Sequence, residues 1–240
     1  MPSNTLGVKG NQRLNIVIKI GGHLISTKDG INTELFKKYS RLLSETYDRG
    51  RWCIVVGGGE EARKYVRAAR DLGINESICD LIAVKVTRIN ALLLASILGE
   101  KAVQRIPESL EELIQYSSKG RIVVMGGLQP GQSTIAVSAL AAEAINADKL
   151  IVATDVDGIY TDDPKLNPKA RLLEEVTLSQ LMKIVEKTSH RAGEYKLIDM
   201  VAYKVLSRSK IQTIYLNGRH PENIRKAIMG EKVGTLIKQE

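Results

Sequence analysis

Glycine-rich turns that follow strand-like runs are the residues of this sequence best suited to chemistry. Residues 51–70, RWCIVVGGGEEARKYVRAAR, have the pattern of a buried strand, three glycines and a helix. Consecutive residues without a Cβ let a ligand approach the backbone, and the N–H groups of a first helical turn attract anions. We therefore interpret Gly57, Gly58 and Gly59 as a phosphate cradle, with Arg63 as a cation beside it. A tight strand-to-helix turn without a ligand is the alternative.

A lysine stands near the end of the first strand pattern. Residues 15–20, NIVIKI, are a β-branched run that Gly21 and Gly22 interrupt. Ligands of open parallel sheets bind at the carboxyl ends of the strands, so Lys19 is placed to bind phosphate. A surface lysine on an edge strand is the alternative.

Residues 126–134, GGLQPGQST, nearly match a P-loop. Gln132 stands where the P-loop lysine is required, so a Walker-type site is not expected and the cation must come from elsewhere. Ser133 and Thr134 can still cap the alanine-rich helix that follows, with their hydroxyls facing a ligand. The later acidic run, residues 155–164, does not match the spacing of an EF-hand, and we interpret it as a shaped nucleotide-binding loop.

Strand and helix patterns alternate along the chain, which predicts an α/β fold with a mostly parallel sheet covered on both faces. Beyond those above, strands are predicted at residues 101–106, 121–125, 149–154 and 211–216, and helices at residues 32–48, 77–98, 178–187, 195–209, 220–230 and from near residue 107, where Ser109 and Glu112 form a capping box. The 77–98 pattern is apolar on most faces, so we expect burial on more than one side. Its polar members, Asp80, Thr87, Arg88 and Asn90, then need partners or ligands, and an Asp–Arg ion pair is one account.

Composition restricts the class of partner. The net charge of +8 in 240 residues favours anionic partners, and an aromatic content of 4% argues against a stacking platform for nucleic acid. Small phosphorylated molecules fit better. Cys53 and Cys79 lack a metal-type spacing and are expected to be buried thiols of a reducing compartment. No signal peptide or bilayer-spanning stretch is expected, so the prediction is a cytoplasmic protein with a loose tail at residues 1–12.

Six segments in order resemble the archaeal uridylate (UMP) kinases of the amino-acid-kinase superfamily. They are IKIGG (18–22), VVGGGEEARKY (55–65), DLIAVKVTRINALL (80–93), GGLQPGQST (126–134), ATDVDGIYTDDP (153–164) and residues 199–204. The resemblance covers nearly the whole chain after residue 13. It implies a three-layer αβα sandwich in which about residues 13–146 bind the acceptor UMP and about residues 147–240 bind ATP. It also implies a homohexamer, a trimer of dimers, without nucleic acid or membrane partners.

The resemblance also implies roles for individual residues. Lys19 and Lys204 would be catalytic and contact the transferring phosphoryl group. The residues that would bind UMP are Gly21, Gly22, Gly58, Gly59, Arg63, Asp80, Gln129 and Thr134. Those that would border ATP are Gly22, Gly59, Thr154, Asp155, Tyr160 and Asp163. Mg²⁺ would be held mainly by the nucleotide phosphates, with no direct protein ligand. Phosphoryl transfer needs positioning and positive charge, which these groups can supply.

Four positions depart from the family pattern. Ile135 stands where many relatives have an aspartate that orients the two lysines, so another residue must orient them or none does. His23, Ala83 and Met200 also differ from the usual residues.

The sequence leaves three other interpretations of the function open. In isopentenyl phosphate kinases a catalytic histidine stands where this chain has Val56, which disfavours that acceptor. The second interpretation is a non-catalytic nucleotide-binding protein. The presence of Lys19, Arg63 and Lys204 disfavours it. A dinucleotide-binding oxidoreductase would use the G-x-G-x-x-A spacing from Gly57 to Ala62, but Asp80 lies in a helical context rather than at a strand end.

Overall fold

The structure is a computed structural model that describes residues 13–188 and 197–238. The strands are β1 (Ile16–Ile20), β2 (Ser26–Thr27), β3 (Gly30–Ile31), β4 (Trp52–Val56), β5 (Val123–Met125), β6 (Lys149–Thr154), β7 (Ile159–Tyr160), β8 (Leu172–Leu173), β9 (Glu175–Thr177), β10 (Gln212–Asn217) and β11 (Thr235–Lys238). The helices are α1 (Gly22–Ile25), α2 (Thr33–Thr46), α3 (Gly59–Asp71), α4 (Glu76–Leu98), α5 (Leu110–Ser117), α6 (Thr134–Ala144), α7 (Leu178–Thr188), α8 (Met200–Ser209) and α9 (Glu222–Met229).

Seven of these strands form one sheet, in the order β5-β4-β1-β6-β10-β11-β9. The first five are parallel, and β11 is antiparallel to β10. In chain order, β1 is the first strand of the sheet, and β4 and β5 are added on one side of it. The next strand, β6, lies on the other side of β1. The strand order therefore reverses at β1, and such a reversal opens a ligand crevice at the carboxyl ends of the strands. The predicted α/β fold is confirmed.

The sheet separates two apolar cores, because successive strand side chains point to opposite faces. Ile16, Ile18 and Ile20 of β1 lie in the core shared with α2, α4 and α9. Val17 lies in the opposite core, shared with α5, α6, α7 and α8. This is the three-layer arrangement expected from the resemblance. The alternation places Lys19 on the same face as Val17, toward the layer that contains α6 and α8.

The predicted strand at residues 101–106 is wrong. The segment begins with a 3₁₀ turn, and Ala102 makes only an isolated bridge to Ile122. The side-chain amide of Gln104 donates to the carbonyls of Ala95 (3.0 Å) and Gly99 (2.7 Å), so the segment closes the carboxyl end of α4 instead of extending a ladder.

Two helix starts also differ from prediction. The helix expected from near residue 107 begins at Leu110, where Ser109 accepts the N–H of Glu112 at 3.2 Å. The helix expected at residues 195–209 begins at Met200, and residues 195–196 lie outside the described part of the chain. Asp199 is its N-cap and accepts the N–H of Ala202 at 2.8 Å. In both cases a capping side chain fixes the boundary.

Two expectations about the long helix α4 are wrong. By length and composition it could cross a membrane, so the prediction that no stretch is apolar enough is wrong, although the helix packs on the sheet through residues such as Ala91 and Leu94. The expectation that α4 is buried on more than one side is also wrong within a single chain. The exposed apolar stripe of α4, as we call it, consists of Ile78, Leu81, Ile89, Leu92, Leu93 and Ile97, each between 38% and 64% exposed.

Candidate active site

A cavity of about 340 Å³ opens at the carboxyl ends of β1, β4 and β5. It brings together eight predicted site residues from four separate segments: Lys19, Gly22, Gly58, Gly59, Arg63, Asp80, Gln129 and Thr134. His23 and Gln132, to which the sequence assigned no role in binding, also line it. The predicted residues Gly21, Thr154, Asp155, Tyr160, Asp163 and Lys204 are not among its lining residues.

The glycine turns contribute backbone donors to this cavity. The N–H groups of Gly22, Gly58 and Gly59 have no hydrogen-bond partner within residues 13–188 and 197–238. Gly57 donates to a carbonyl of β1 at 3.0 Å. Gly21 donates to a carbonyl of β6 at 2.9 Å, so its N–H already has a partner within the sheet. Three N–H groups therefore remain to bind an anion.

Gly22 and Gly59 must both be glycine, because the backbone of each leaves no space for a Cβ on the other. A Cβ on Gly22 would lie 2.1 Å from the nitrogen of Gly59. Gly59 has φ +67°, and a Cβ there would lie 2.4 Å from the carbonyl oxygen of Gly22. The two turns interlock backbone to backbone, which fixes the donors relative to one another.

Helix α4 holds the turns in place through polar side chains. Asn90 donates to the carbonyls of Gly57 (2.9 Å) and Gly58 (3.2 Å). Thr87 accepts the N–H of Gly127 at 2.6 Å. These buried side chains stabilise the turns rather than bind ligand, and their position in an apolar helix was the signal for an internal partner.

Asp80 and Arg88 of the same helix do not form the Asp–Arg pair considered from the sequence. Arg88 donates to the carbonyls of Gly127 (3.1 Å) and Leu128 (2.9 Å) and pairs with Glu108. Asp80 accepts the N–H of Gly131 through Oδ2 at 2.9 Å and also lines the cavity. Both residues thus anchor the turn at residues 126–134.

Lys19 is the cation at the centre of the sheet. Burial lowers its pKa from 10.5 to about 8, and the carboxylate of Asp155 opposes part of that shift. The ammonium group is thus poorly solvated, and a bound phosphate would provide the counter-charge that water does not.

His23 and Arg63 contact each other inside the cavity. Nη2 of Arg63 lies 2.5 Å from Nε2 of His23, and Nη1 lies 3.3 Å from Nδ1. Arg63 also pairs with Glu60 at 3.4 Å. Burial, followed by the charge of Arg63, lowers the pKa of His23, so the imidazole is neutral and accepts from the guanidinium.

The acidic loop after β6 is shaped by its own carboxylates. Asp163 accepts the N–H of Lys165 at 2.8 Å, and Thr154 bonds to both backbone polar groups of Val156. Asp155 pairs with Lys165 at 2.5 Å. Tyr160 donates to Asp157 at 3.3 Å. The loop follows β6, which lies directly beside β1, and its Asp155 is close enough to act electrostatically on Lys19 and His23.

Lys204 lies on α8, one turn after its N-cap. Its side chain is exposed. Asp199, the N-cap, accepts from the hydroxyl of Ser133, which itself caps α6, so the starts of α8 and α6 are joined. Thr134 follows Ser133 and lines the cavity. Lys204 therefore lies in the helical layer that Lys19 faces, on a helix whose N-cap contacts the residue before Thr134.

Comparison with known proteins identifies the family. The model of the amino acid kinase family matches residues 15–217. The chain is 42% identical over 224 residues to the uridylate kinase of Methanobrevibacter smithii, covering 93% of this chain and 99% of that protein. It is 41% identical over 223 residues to that of Hyperthermus butylicus, covering 92% and 97%. The crystal structure of uridylate kinase from Archaeoglobus fulgidus superposes with a TM-score of 0.83 at 39% identity, covering 94% of this chain and all of that chain.

The chain belongs to the amino acid kinase family. The predicted resemblance to its archaeal uridylate kinases is confirmed over almost the whole length. A structure of UMP kinase from Bacillus anthracis, 24% identical with a TM-score of 0.79 and covering 95% and 97% of the two chains, shares the fold.

One departure from the family pattern has a partial structural answer. Ile135, in the first turn of α6, is buried in the apolar core and cannot orient a lysine. Asp155 is the carboxylate that favours the charged form of Lys19. An acidic group from the loop after β6 therefore acts electrostatically on Lys19.

The described residues contain no cluster of three or more His, Cys, Asp and Glu side chains placed to hold a metal ion. The carboxylate near Lys19, Asp155, is already paired with Lys165.

Proposed function

We propose that this chain is a uridylate kinase, which transfers the γ-phosphoryl group of ATP to UMP and forms ADP and UDP. The observation that carries the proposal is the cavity in which Lys19, Arg63 and three unpartnered glycine N–H groups converge where the strand order reverses. The uridylate kinases of Methanobrevibacter smithii and Hyperthermus butylicus support UMP as the acceptor.

The mechanism follows from charge and position. Arg63, fixed by His23 and Glu60, holds the phosphate of UMP, and Asp80 contacts the ribose. An oxygen of that phosphate attacks the γ-phosphorus, the bond to the β–γ bridging oxygen breaks, and ADP leaves. Lys19 and the N–H groups of Gly58 and Gly59 stabilise the charge on the transferring group. No covalent nucleophile from the protein is needed.

The ATP side of the site is the acidic loop and α8. ATP lies along residues 154–163, with Lys204 reaching the phosphoryl group from the opposite side to Lys19. The nucleotide phosphates would hold Mg²⁺, and the ion would supply further positive charge for phosphoryl transfer. In this arrangement residues 13–146 bind the acceptor and residues 147–240 bind ATP.

We further propose a cytoplasmic homohexamer, a trimer of dimers, in which a second copy covers the exposed apolar stripe of α4. Six large apolar side chains on one helix face are more than a solvated helix usually exposes. Replacing Leu92 with Glu should reduce the molar mass measured by light scattering, whereas Leu72→Glu, at a 78% exposed residue outside α4, should not. An unchanged mass for Leu92→Glu would remove this face from the assembly.

The activity is tested by coupled ADP release with UMP, CMP, dTMP, AMP and isopentenyl phosphate as acceptors. UMP should give the highest kcat/KM, and equal rates with the other acceptors would contradict the assignment. Lys204→Ala should reduce kcat by about 100-fold or more, whereas Lys183→Ala, an exposed lysine of α7, should not change it. Normal turnover in Lys204→Ala would remove Lys204 from the mechanism.

A further inference from the structure

A groove of about 460 Å³ lies between α2 and α9. It belongs to the helical layer on the other face of the sheet from Lys19, and none of the described residues that line it also lines the candidate active site. Its charged lining residues come from α2, from the turn after β10 and from α9. They are Lys38, Arg41, Glu45, Arg219, Glu222 and Arg225.

The turn after β10 is anchored on α2. The hydroxyl of Tyr39, which is fully buried, donates to the carbonyl of Gly218 at 2.7 Å. The side chain of Asn217 accepts the N–H of Arg219 at 3.0 Å, and the carbonyl of Asn217 accepts from the side-chain amide of Asn223 at 2.9 Å. The backbone that carries Arg219 is therefore held beside α2 before any ligand binds.

Helical spacing places the polar residues of α2 on the side that faces this turn. Lys38, Arg41 and Glu45 are three and four positions apart, so they share one helix face, and all three line the groove. Lys37 lies outside this face, because it pairs with Glu34 at 2.8 Å and does not line the groove.

Two of the four cations already use the two carboxylates. Glu45 accepts from Nε of Arg41 at 2.8 Å and from Nη2 of Arg225 at 2.9 Å. Glu222 forms an ion pair with Arg225, 3.1 Å from its Nε, although the geometry is not that of a hydrogen bond. Four cations and two carboxylates give the groove an excess of two positive charges.

Lys38 and Arg219 carry this excess. The ammonium group of Lys38 makes no hydrogen bond or ion pair within residues 13–188 and 197–238. Nη2 of Arg219 lies 4.0 Å from Oδ2 of Asp155, and that oxygen is only 2.5 Å from Lys165. An ion pair as long and exposed as that of Arg219 contributes little, so its guanidinium group is available to a ligand.

We propose that this groove is a second anion-binding site, which binds a diphosphate or a longer polyphosphate chain through Lys38, Arg41 and Arg219. The planar fork of an arginine binds two oxygens of one phosphate, and lysine adds a point charge. The volume of the groove exceeds that of a single phosphate ion, so a chain of phosphate groups fits. Among the described residues that line it there is no Phe, Tyr or Trp, so it offers no aromatic surface on which a base could stack. The site does not depend on the proposed uridylate kinase activity.

The test is calorimetric titration of the full chain with inorganic pyrophosphate at low ionic strength. Lys38→Gln should weaken one class of wild-type sites about 10-fold or more, because a charge-assisted hydrogen bond is lost. Lys38→Gln combined with Arg41→Gln should bind one pyrophosphate fewer per chain. Lys37→Gln, at the neighbouring lysine outside the groove, should bind as wild type does. All three positions are exposed, urea unfolding verifies that each variant folds, and Lys38→Gln alone decides the result if the double variant does not fold.

Three outcomes would overturn the proposal. If Lys38→Gln and the double variant bind pyrophosphate with wild-type number and affinity, the groove takes no anion. If Lys37→Gln weakens binding as much as Lys38→Gln does, the anion responds only to the general charge of α2. If Lys38→Gln loses ADP release with UMP together with pyrophosphate binding, the lost site is the active site. A wild-type chain that does not phosphorylate UMP contradicts the proposed function, and the pyrophosphate titrations still decide whether the groove binds an anion.

Titrations with tripolyphosphate and with ATP distinguish a free inorganic anion from the phosphate tail of a nucleotide. In each, the readout is the difference between wild type and Lys38→Gln. A site that depends on Lys38 for tripolyphosphate alone indicates a free polyphosphate, and equal affinities for both indicate that a nucleotide can bind by its tail. Dependence on Lys38 for ATP alone would contradict recognition by phosphate groups.

Discussion

Replacing Lys19 with Met should abolish phosphoryl transfer and at the same time stabilise the ligand-free protein. The pKa of Lys19 falls from 10.5 in the unfolded chain to about 8 in the folded one, chiefly because of burial. At pH 7 the lysine is protonated in both states, and the shift corresponds to at most about 3 kcal/mol of lost stability. Met has a similar length and no charge, so the variant should recover most of that amount.

The stability difference between wild type and Lys19→Met should depend on pH, and the lowered pKa of Lys19 determines the direction of that dependence. Between pH 8 and pH 10.5 the unfolded chain binds more protons at this position than the folded one, so wild-type stability rises with pH over this range. The loss of stability caused by burying the charged lysine is fully present below pH 8 and is absent above pH 10.5. From pH 7 to about pH 9.5 the stability advantage of Lys19→Met should therefore shrink by about 2 kcal/mol.

The measurement is the free energy of unfolding in urea at several pH values for wild type, Lys19→Met and Lys101→Met. Lys101 is an exposed lysine of the 3₁₀ turn, and its replacement should change stability by less than about 0.5 kcal/mol at every pH. ADP release in Lys19→Met should fall by about 100-fold or more. Equal stability of wild type and Lys19→Met, with parallel pH curves, would show that Lys19 is well solvated and would refute the reasoning.

Three further predictions concern the surroundings of this lysine. Because burial and Arg63 lower the pKa of His23 below 6.5, stability should fall as pH drops below 6.5, and urea unfolding of His23→Gln should show a shallower fall; an identical slope would contradict a neutral His23. Asn90→Ala should lose about 1–3 kcal/mol and weaken UMP binding in a titration, because two carbonyls of the glycine turn lose their donor, whereas Ser96→Ala on the same helix should do neither. Gly59→Ala should destabilise the protein well beyond the cost of Gly73→Ala, about 1–2 kcal/mol, because both have positive φ but only Gly59 would clash with Gly22; equal losses on thermal unfolding would mean that the turns do not interlock.

Sequence reasoning succeeded where the deciding interactions are local. Periodicity gave the α/β alternation, and glycines after strands marked the turns that meet in the cavity. It failed where a distant side chain or strand decides. Gln104 turns a strand-like run into a cap of α4, and the register between β1 and β6 uses the N–H of Gly21. The short strands β9 and β11 at the far edge were missed, because they are too brief to show a period.

The glutamine at the P-loop lysine position illustrates how structure changes the meaning of a residue. In the sequence, Gln132 counted only as a missing cation. In the fold, Lys19 of β1 is the lysine that lines the cavity, and Gln132 also lines it, with an Oε1 that is inaccessible to solvent. No local pattern distinguishes these two readings, because both depend on which strand lies beside which.

The groups of the cavity that are open to a ligand near β1 and β4 are donors and cations: Lys19 with its lowered pKa and the N–H groups of Gly22, Gly58 and Gly59. A ligand that satisfies them must carry an anion. Inorganic phosphate and UMP both carry one, so at concentrations that are equal multiples of their dissociation constants they should stabilise the protein equally. Any contact that only the nucleoside part of UMP makes should appear instead as the tighter binding of UMP.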